Sequence, residues 1–258
     1  MVGWLMMRLI HAAIAMDMLA HLVLAPWIWW YNRSGQQERA DRLTGQLAKD
    51  WSHRILRLYR CEVRIEGLEH VPRSGPLIIA ANHQSLLDIP VCLGYLGRSM
   101  GFVAKKELFR IPLLSFWMRQ IHCASIDRQD IAAGGRLLED LSQKVRDREG
   151  CMIIFPEGTR SRHPDGELGP FKRGALRIAQ AQGIPVLPLS IDGTRFLVSP
   201  QELWRTRKGG RFVRLRISPP RQPPGPEAPA PESKRFMDSL REEIHSNREA
   251  IRVYWTTA

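Results

Sequence analysis

The sequence predicts an α/β fold, with a mostly parallel central sheet flanked by helices and an N-terminal hydrophobic helical segment for membrane association. Short apolar runs alternate with amphipathic helical patterns along most of the 258 residues, the order typical of parallel sheets with helical crossovers. The run Leu77–Ala81 is apolar at every position, as a strand covered on both faces requires. A chain of this length can bury a core that needs neither disulfides nor a structural metal.

The first unit, residues 1–34, is an apolar stretch that ends in the aromatic cluster 27–31. Asp17 and His21 interrupt it, so it lacks the ~18 uncharged apolar residues of a clean spanning helix. Aromatic residues followed by Arg33 are typical of an anchor at the level of lipid headgroups. Three interpretations remain open: an imperfect transmembrane helix, one or two helices lying in the interface, or a helical hairpin packed on the domain.

Residues 35–218 carry the strand–helix alternation of the α/β domain. Leu43, Leu47, Trp51 and Ile55 recur at four-residue spacing and predict an amphipathic helix within 36–60. A second helix is expected over 131–148. The predicted strands are Cys61–Glu66, Leu77–Ala81, Gly101–Ala104, Cys151–Phe155, Val186–Ile191 and Phe212–Ile217.

The C-terminal part divides into a linker and a helix. Seven prolines stand between Pro219 and Pro231, so residues 219–231 are expected to hold no regular structure. Residues 232–258 are predicted to close the chain with an amphipathic helix, on which Phe236, Leu240 and Ile244 are in register.

Charge and composition narrow the class of partner. A net charge of +12 predicts attraction to polyanions. A Trp-rich patch, with four of the eight tryptophans, lies in the apolar N-terminal stretch, which favours an anionic membrane lipid over nucleic acid. The four cysteines are scattered without metal-ligand spacing, so free thiols and no metal site are expected.

The first candidate site is Asn82–Asp88, directly after the apolar run Leu77–Ala81. Polar residues at the carboxyl end of a parallel strand occupy the edge where such sheets bind ligands. His83 has a side chain suited to proton transfer near neutral pH, and Asp88 can accept a hydrogen bond from one imidazole nitrogen, leaving the other as a general base. The same spacing also fits a helix cap formed by Asp88 or Asn82.

The second candidate site is Phe155–Arg160, which again follows an apolar strand. Gly158 allows close approach of the backbone, and the guanidinium of Arg160 suits a phosphate. Thr159 adds a hydroxyl donor, while Glu157 can orient the arginine or cap the turn. Further along, Lys172 and Arg173 begin a helical segment, where an anion is favoured.

These two segments together resemble the lysophosphatidic acid acyltransferase family, within the glycerophospholipid acyltransferase superfamily. Weaker likenesses accompany them at Ile126–Arg128, at Gly183–Pro188 and at Ala104–Leu108, so that the resemblance spans residues 62–195. The second block of that family usually opens with glycine, whereas Gln120–Cys123 stands at this place here.

The resemblance implies roles for individual residues. His83 would be the general base and Asp88 its partner. Glu157, Gly158, Thr159 and Arg160 would form the site for the acceptor phosphate, with Lys105 or Lys106 as a second cation and Arg128 contributing. No cofactor is implied, since acyl-CoA or acyl carrier protein brings the acyl group as a co-substrate.

The expected function is transfer of a fatty acyl group from an acyl-CoA or acyl-ACP thioester to the sn-2 hydroxyl of 1-acyl-glycerol-3-phosphate, giving phosphatidic acid. The expected location is the cytoplasmic face of a bacterial inner membrane. Two alternatives stay open: a family member that acts on another lysolipid such as a lyso-ornithine lipid, and a non-catalytic module that binds anionic lipid. The sequence fixes neither the donor nor the acyl-chain length.

Overall fold

The computed structural model describes residues 2–126, 141–148, 150–161, 167–198 and 211–252. Its helices are α1 (Val2–Ala20), α2 (Ala25–Arg33), α3 (Gln37–Leu58), α4 (Asp88–Tyr95), α5 (Pro112–Gln120), α6 (described over 141–147), α7 (Arg177–Gln180), α8 (Thr194–Leu197) and α9 (Ala230–Ala250). Its strands are β1 (Cys61–Glu66), β2 (Leu77–Ala81), β3 (Gly101–Lys105), β4 (Ala124–Ile126), β5 (Cys151–Ile154), β6 (Val186–Asp192) and β7 (Arg211–Ile217).

The described strands form one sheet in the order β1-β7-β6-β2-β5-β3-β4. Every neighbouring pair is parallel except β6 and β7, which run antiparallel. The mostly parallel sheet flanked by helices is confirmed. Because β2, β3, β5 and β6 point the same way, the loops that follow them meet at one edge of the sheet.

Both faces of the sheet are covered, which explains the unbroken apolar strands. Leu77 and Ile79 of β2 pack into a cluster with α3, α4 and the N-terminal helix. Ile78 and Ala80 point to the opposite face, where they meet α6, α7 and α9. The strand is therefore apolar at all positions because neither of its faces meets water.

The N-terminal helices pack on the domain through one side only. Ile10 of α1 and Ile28 of α2 are buried, and Arg54 of α3 forms an ion pair with Asp17 at 2.7 Å. Trp4–Arg33 is one helical stretch long and apolar enough to cross a membrane by length and composition. The exposed apolar side chains of this unit are Trp4, Leu5, Leu9, Met16, Leu19, Val23, Trp27, Trp29 and Trp30.

The predicted strands lie within one residue of the observed bounds at each end. The sequence analysis missed β4, which has only three residues and follows a polar segment that gives no apolar run. Residues 131–140 of the predicted second helix lie outside the described part, whereas 141–147 are helical. The proline-rich segment has no helix or strand as far as Pro229, and Arg221 forms an isolated bridge with Val186 of β6. Its last two residues, Ala230 and Pro231, belong to α9, which ends at Ala250 and not at the predicted 258. In the C-terminal helix, Leu240 and Ile244 are buried against the sheet.

Candidate active site

The end of β2 is fixed by a side chain that continues the sheet. The Asn82 amide donates to the Ile191 carbonyl and accepts from the Ile191 amide, both at 2.8 Å. The side chain therefore adds one rung to the ladder between β2 and β6. This pairing holds the backbone at the point from which His83 departs.

His83 and Asp88 form the pair that their spacing predicts. Nδ1 of His83 lies 2.7 Å from Oδ2 of Asp88, so Nδ1 carries the hydrogen and Nε2 keeps its lone pair. The imidazole stacks on Phe155, with ring centroids 4.0 Å apart, and its side chain is 16% exposed. Among the described residues, Nε2 has no hydrogen-bond partner, so it is available to an incoming hydroxyl.

Asp88 is fully buried and both of its oxygens are used. Besides the imidazole, Oδ2 accepts from the backbone amides of Gln84 at 2.7 Å and Ser85 at 3.0 Å. Oδ1 accepts from the hydroxyl of Thr194, which begins α8 after β6. Four donors therefore fix the carboxylate, and a fixed carboxylate fixes the imidazole.

The loop after β5 is tied to His83 through Glu157. Oε1 accepts from the His83 amide at 3.0 Å, and Oε2 accepts from the Gly169 amide at 2.9 Å. Burial raises the pKa of Glu157, and the hydrogen bonds from His83 and Gly169 act in the opposite direction. The backbone amide of Ser161 closes the link by donating to the His83 carbonyl at 2.8 Å. The Glu157 carboxylate thus joins two loops at the site from inside the protein.

Gly158 is required by conformation and by space. Its φ is +66°, and a Cβ there would lie 2.9 Å from the side chain of Lys172. Any other residue would be strained and would displace that lysine. The Lys172 amide donates to the Pro156 carbonyl at 2.9 Å, so Lys172 lies across the loop.

Three cations surround this edge of the sheet. Arg160 and Lys172 are exposed at the loop after β5, and Lys105 is exposed at the carboxyl end of the neighbouring strand β3. None of the three side chains has a hydrogen-bond or ion-pair partner within the described residues. Such unpaired cations beside a general base suit an acceptor that carries phosphate.

Comparison with known proteins identifies the architecture. A family model described as Acyltransferase matches residues 62–192, a range that contains the His83–Asp88 pair and the Glu157 loop. The chain belongs to the acyltransferase family.

Relatives and a solved structure agree with this assignment. The chain is 39% identical over 150 residues to a chloroplastic 1-acyl-sn-glycerol-3-phosphate acyltransferase of Brassica napus, covering 57% of this acyltransferase and 42% of the relative. It is 31% identical over 167 residues to that of Saccharomyces cerevisiae, covering 65% and 54%. The chain thus spans about half the length of these curated relatives. The crystal structure of the 1-acyl-sn-glycerophosphate acyltransferase of Thermotoga maritima superposes with a TM-score of 0.69 at 27% identity, covering 97% of this chain and 100% of that one.

The structure of the acyltransferase brings most of the predicted site residues together. His83, Asp88 and Glu157 are joined by hydrogen bonds, and Gly158, Thr159 and Arg160 form the loop that follows. Lys105 lies on the next strand, where its register partner in β4 is Ile126. Arg128 lies outside the described residues. The phosphate-binding roles of these residues stay predictions.

Thr194 was not predicted for the acyltransferase site, and Phe155 was included in the second candidate site but was given no role. Thr194 reaches Asp88 from 106 residues further along the chain, and no local spacing announces such a contact. Phe155 supports the imidazole by stacking, and its place at the end of an apolar strand beside the second motif was the available signal.

An apolar groove runs along the face of the sheet on the side of α3, α4 and α5. It is lined by Trp51, Ile89, Leu93, Leu114 and Trp117, and Ile89 is the residue after Asp88. Including its open mouth, the space measures about 540 Å³. The groove offers the acyltransferase a hydrocarbon-lined surface.

The cysteines of the acyltransferase are free thiols. Burial raises the pKa of Cys61, Cys123 and Cys151 to about 12. A thiol with so high a pKa is a poor nucleophile at neutral pH. These three thiols are therefore unsuited to forming a covalent acyl-enzyme.

Proposed function

We propose that this acyltransferase moves a fatty acyl group from an acyl-CoA or acyl-ACP thioester to the sn-2 hydroxyl of 1-acyl-glycerol-3-phosphate, giving phosphatidic acid. The observation that carries the proposal is the His83 imidazole, whose Nδ1 lies 2.7 Å from Asp88. Its Nε2 and the three exposed cations at the same edge of the sheet have no hydrogen-bond or ion-pair partner among the described residues. The relatives named for this reaction support the same acceptor.

The proposed reaction needs one proton carrier and no covalent intermediate on the protein. Nε2 of His83 takes the proton of the acceptor hydroxyl while the oxygen attacks the thioester carbonyl carbon. The tetrahedral intermediate then collapses, the carbon–sulfur bond breaks, and the thiolate leaves. The imidazolium returns its proton to the sulfur, so the products are the ester and a free thiol. Asp88 stabilises the imidazolium without taking its proton.

The cations position the acceptor in this proposal. A phosphate held by Arg160, with Lys105 and Lys172 beside it, would place the glycerol hydroxyl near Nε2. Holding two reactants in this way supplies part of the ~7–11 kcal/mol available to well-oriented pairs. Arg128 is assigned to the same phosphate by the family pattern. The acyl chain would lie in the apolar groove that Ile89 helps to line.

Membrane docking through α1 and α2 brings the site to its lipid substrates. The exposed tryptophans of α2 and the apolar side chains of α1 face away from the domain. Asp17 and His21 turn toward Arg54 of α3 instead, so these two polar side chains do not face lipid, whereas Arg8 and His11 of α1 are exposed. Because Ile10 and Ile28 pack on the domain at the same time, we propose that the helices lie in the interface.

Leu86 gives the loop between His83 and Asp88 an exposed apolar side chain of its own. It lies between His83 and Asp88, and 61% of its side chain is exposed. Such an exposed leucine beside the general base fits a site that takes its acceptor from the membrane surface. We place this surface at the cytoplasmic face of a bacterial inner membrane, where acyl-CoA and acyl-ACP are found.

The test is an acceptor panel presented in vesicles to the purified full chain with labelled acyl donor. The panel contains 1-acyl-glycerol-3-phosphate, a lysophospholipid with a larger headgroup and a lyso-ornithine lipid, each with acyl-CoA and with acyl-ACP. We expect labelled phosphatidic acid as the dominant product. Preference for a lysolipid without a phosphomonoester would contradict the proposed acceptor, and thioester consumption that no acceptor stimulates would contradict acyl transfer.

A further inference from the structure

A polar cavity lies between the α2–α3 turn, the end of α5 and α6. It measures about 250 Å³, and its polar walls include Asn32, Gln37, Asp41, Arg119, His122 and Arg148. The proposed reaction uses none of these residues.

The cavity is at the edge of the sheet opposite His83. His122 precedes β4 and Arg148 precedes β5, so both stand at amino ends of parallel strands. His83 and the Glu157 loop follow the carboxyl ends of β2 and β5. A five-residue strand spans roughly 17 Å, and the cavity is therefore separate from the acceptor site.

His122 adopts a backbone conformation that glycine adopts without strain. Its φ is +57°, a region that costs a residue with a Cβ about 1–2 kcal/mol. Strain of this kind persists where the surroundings hold the residue, and it is common at functional sites.

The side chain of His122 is held by Asp41 and orders Arg148. Nε2 lies 2.8 Å from Oδ1 of Asp41, so Nε2 carries the hydrogen. The Nη1 nitrogen of Arg148 lies 2.8 Å from Nε2 and 3.1 Å from Nδ1, and only Nδ1 can accept from it because Nε2 carries the hydrogen. Although burial would raise the pKa of Asp41, hydrogen bonds from His122 and Gln37 lower it. The carboxylate of Asp41 is thus already occupied by groups of the protein.

The charged side chains that line the cavity carry a net positive charge. Asp41 offsets Arg148, whose guanidinium lies 3.9 Å from its second oxygen. Arg119 is exposed on the cavity wall, and its side chain has no hydrogen-bond or ion-pair partner in the part of the chain that the structure describes. The amide side chains of Asn32 and Gln120 add donors. A planar guanidinium fork with amide donors favours an anion with several oxygens, above all a phosphate.

The position of the cavity indicates where such a phosphate comes from. Asn32 stands two residues after Trp30 and three after Trp29, and these indoles are 51% and 64% exposed. Two residues of helix rise about 3 Å. If the indoles lie at the headgroup level of a bilayer, the cavity lies at the level of the lipid phosphates.

We propose that this cavity is a second phosphate site, which binds the headgroup phosphate of an anionic membrane phospholipid and is separate from the acceptor site beside His83. The proposal rests on the docking of α1 and α2 proposed above. It gives the enzyme a preference for anionic surfaces that does not depend on its active site.

The test compares Arg119→Gln with Arg235→Gln in the full chain. Both arginines are exposed and lack a side-chain partner among the described residues, but Arg235 lies on α9, away from the cavity. Flotation is measured with vesicles of phosphatidylcholine alone and with vesicles that also contain phosphatidic acid. We expect phosphatidic acid to increase the vesicle affinity of the wild type. Arg119→Gln should bind the phosphatidic acid vesicles about tenfold more weakly than the wild type, which corresponds to one charge-assisted hydrogen bond. Arg235→Gln should bind them as the wild type does.

Two soluble probes separate the sources of phosphate. Short-chain, water-soluble phosphatidic acid should raise the unfolding temperature of the wild type more than that of Arg119→Gln, whereas inorganic phosphate should raise both equally. A response to inorganic phosphate that Arg119→Gln abolishes would assign the cavity to the free ion and overturn the lipid assignment.

The outcomes distinguish this site from membrane docking. Equal binding of the wild type and Arg119→Gln to phosphatidic acid vesicles would overturn the site and leave docking intact. If the wild type binds neither vesicle, the docking proposal fails, and equal responses of the two proteins to the soluble phosphatidic acid would overturn the site as well. Arg119→Gln should keep its turnover on lysophosphatidate in detergent micelles.

Discussion

The pair proposed as the general base and the cations proposed to bind phosphate stand at the same edge of the sheet, but their side chains are held in opposite ways. Asp88 is fully buried, and four hydrogen bonds hold it. Arg160, Lys105 and Lys172 are exposed, and the described residues give their side chains no partner. The proposed catalytic pair is thus already held in place before substrate binds. The proposed binding groups would gain their partner only when the phosphate of the substrate binds. Changes to the buried pair should therefore lower kcat, and changes to the cations should raise KM.

Among the substitutions that test this contrast, we expect Asp88→Asn to cause the largest loss of activity. The amide can donate where the carboxylate accepts, so it favours the wrong imidazole tautomer and opposes one of the present donors. We expect kcat to fall by about 10³–10⁴-fold, as found when the buried aspartate of a catalytic triad is replaced in this way. Steady-state kinetics with matched thermal unfolding measure this, and a kcat within a fewfold of the wild type would show that the buried pair is not the catalytic unit.

Thr194→Val tests whether the buried hydroxyl of Thr194 supports catalysis through Asp88. Valine keeps the shape of threonine and removes the hydroxyl that Oδ1 accepts, and a hydrogen bond to a charged group is worth about 1.5–3 kcal/mol. We expect kcat to fall about tenfold or more with KM for the acceptor unchanged, and Thr194→Ser to restore it. A Thr194→Ser variant as slow as Thr194→Val would assign the loss to packing and not to the hydroxyl.

Arg160→Lys should affect binding of the acceptor and not the chemical step. Lysine keeps the charge but loses the planar fork that matches two phosphate oxygens. We expect KM for 1-acyl-glycerol-3-phosphate to rise about tenfold, the worth of one charge-assisted hydrogen bond, while kcat changes little. The control is Arg235→Lys on α9, which should match the wild type. A fall in kcat at unchanged KM would place Arg160 in the chemical step.

Glu157→Gln should produce the smallest effect, seen in the pH dependence of stability. Burial raises the pKa of Glu157 in the folded protein, so folding favours its neutral form. The stability from this group is present below its ordinary pKa and is lost as pH rises through the raised value. Urea unfolding over that range should show the wild type losing stability relative to Glu157→Gln, and a difference independent of pH would contradict the assignment.

Features that depend on a short stretch of sequence could be predicted from it. The apolar run Leu77–Ala81 is a strand with the predicted bounds, because a strand buried on both faces needs no alternation. His83 and Asp88 are five residues apart, and a turn between a strand and a helix brings them together. Both inferences need only a short window of the chain.

The features that could not be predicted depend on contacts between residues far apart in the sequence, on the direction of a strand or on the direction of a side chain. Thr194 meets Asp88 through the pairing of β6 with β2, which no local pattern encodes. The inward alternation of Val213, Leu215 and Ile217 identifies β7 as a strand but does not reveal that it runs antiparallel to β6. Glu157 was considered for the phosphate site or a turn cap, and only its two contacts with backbone amides show where its carboxylate lies.

The most direct test of the general-base assignment is single-turnover acyl transfer by His83→Ala and by the wild type. Labelled acyl-CoA and 1-acyl-glycerol-3-phosphate are supplied in the same vesicles, and the binding of each substrate is measured alongside. The account predicts that His83→Ala binds both substrates and unfolds at the wild-type temperature, yet transfers the acyl group at least about 10²–10⁴-fold more slowly. Transfer by His83→Ala at the wild-type rate would contradict the assignment of His83 as the base.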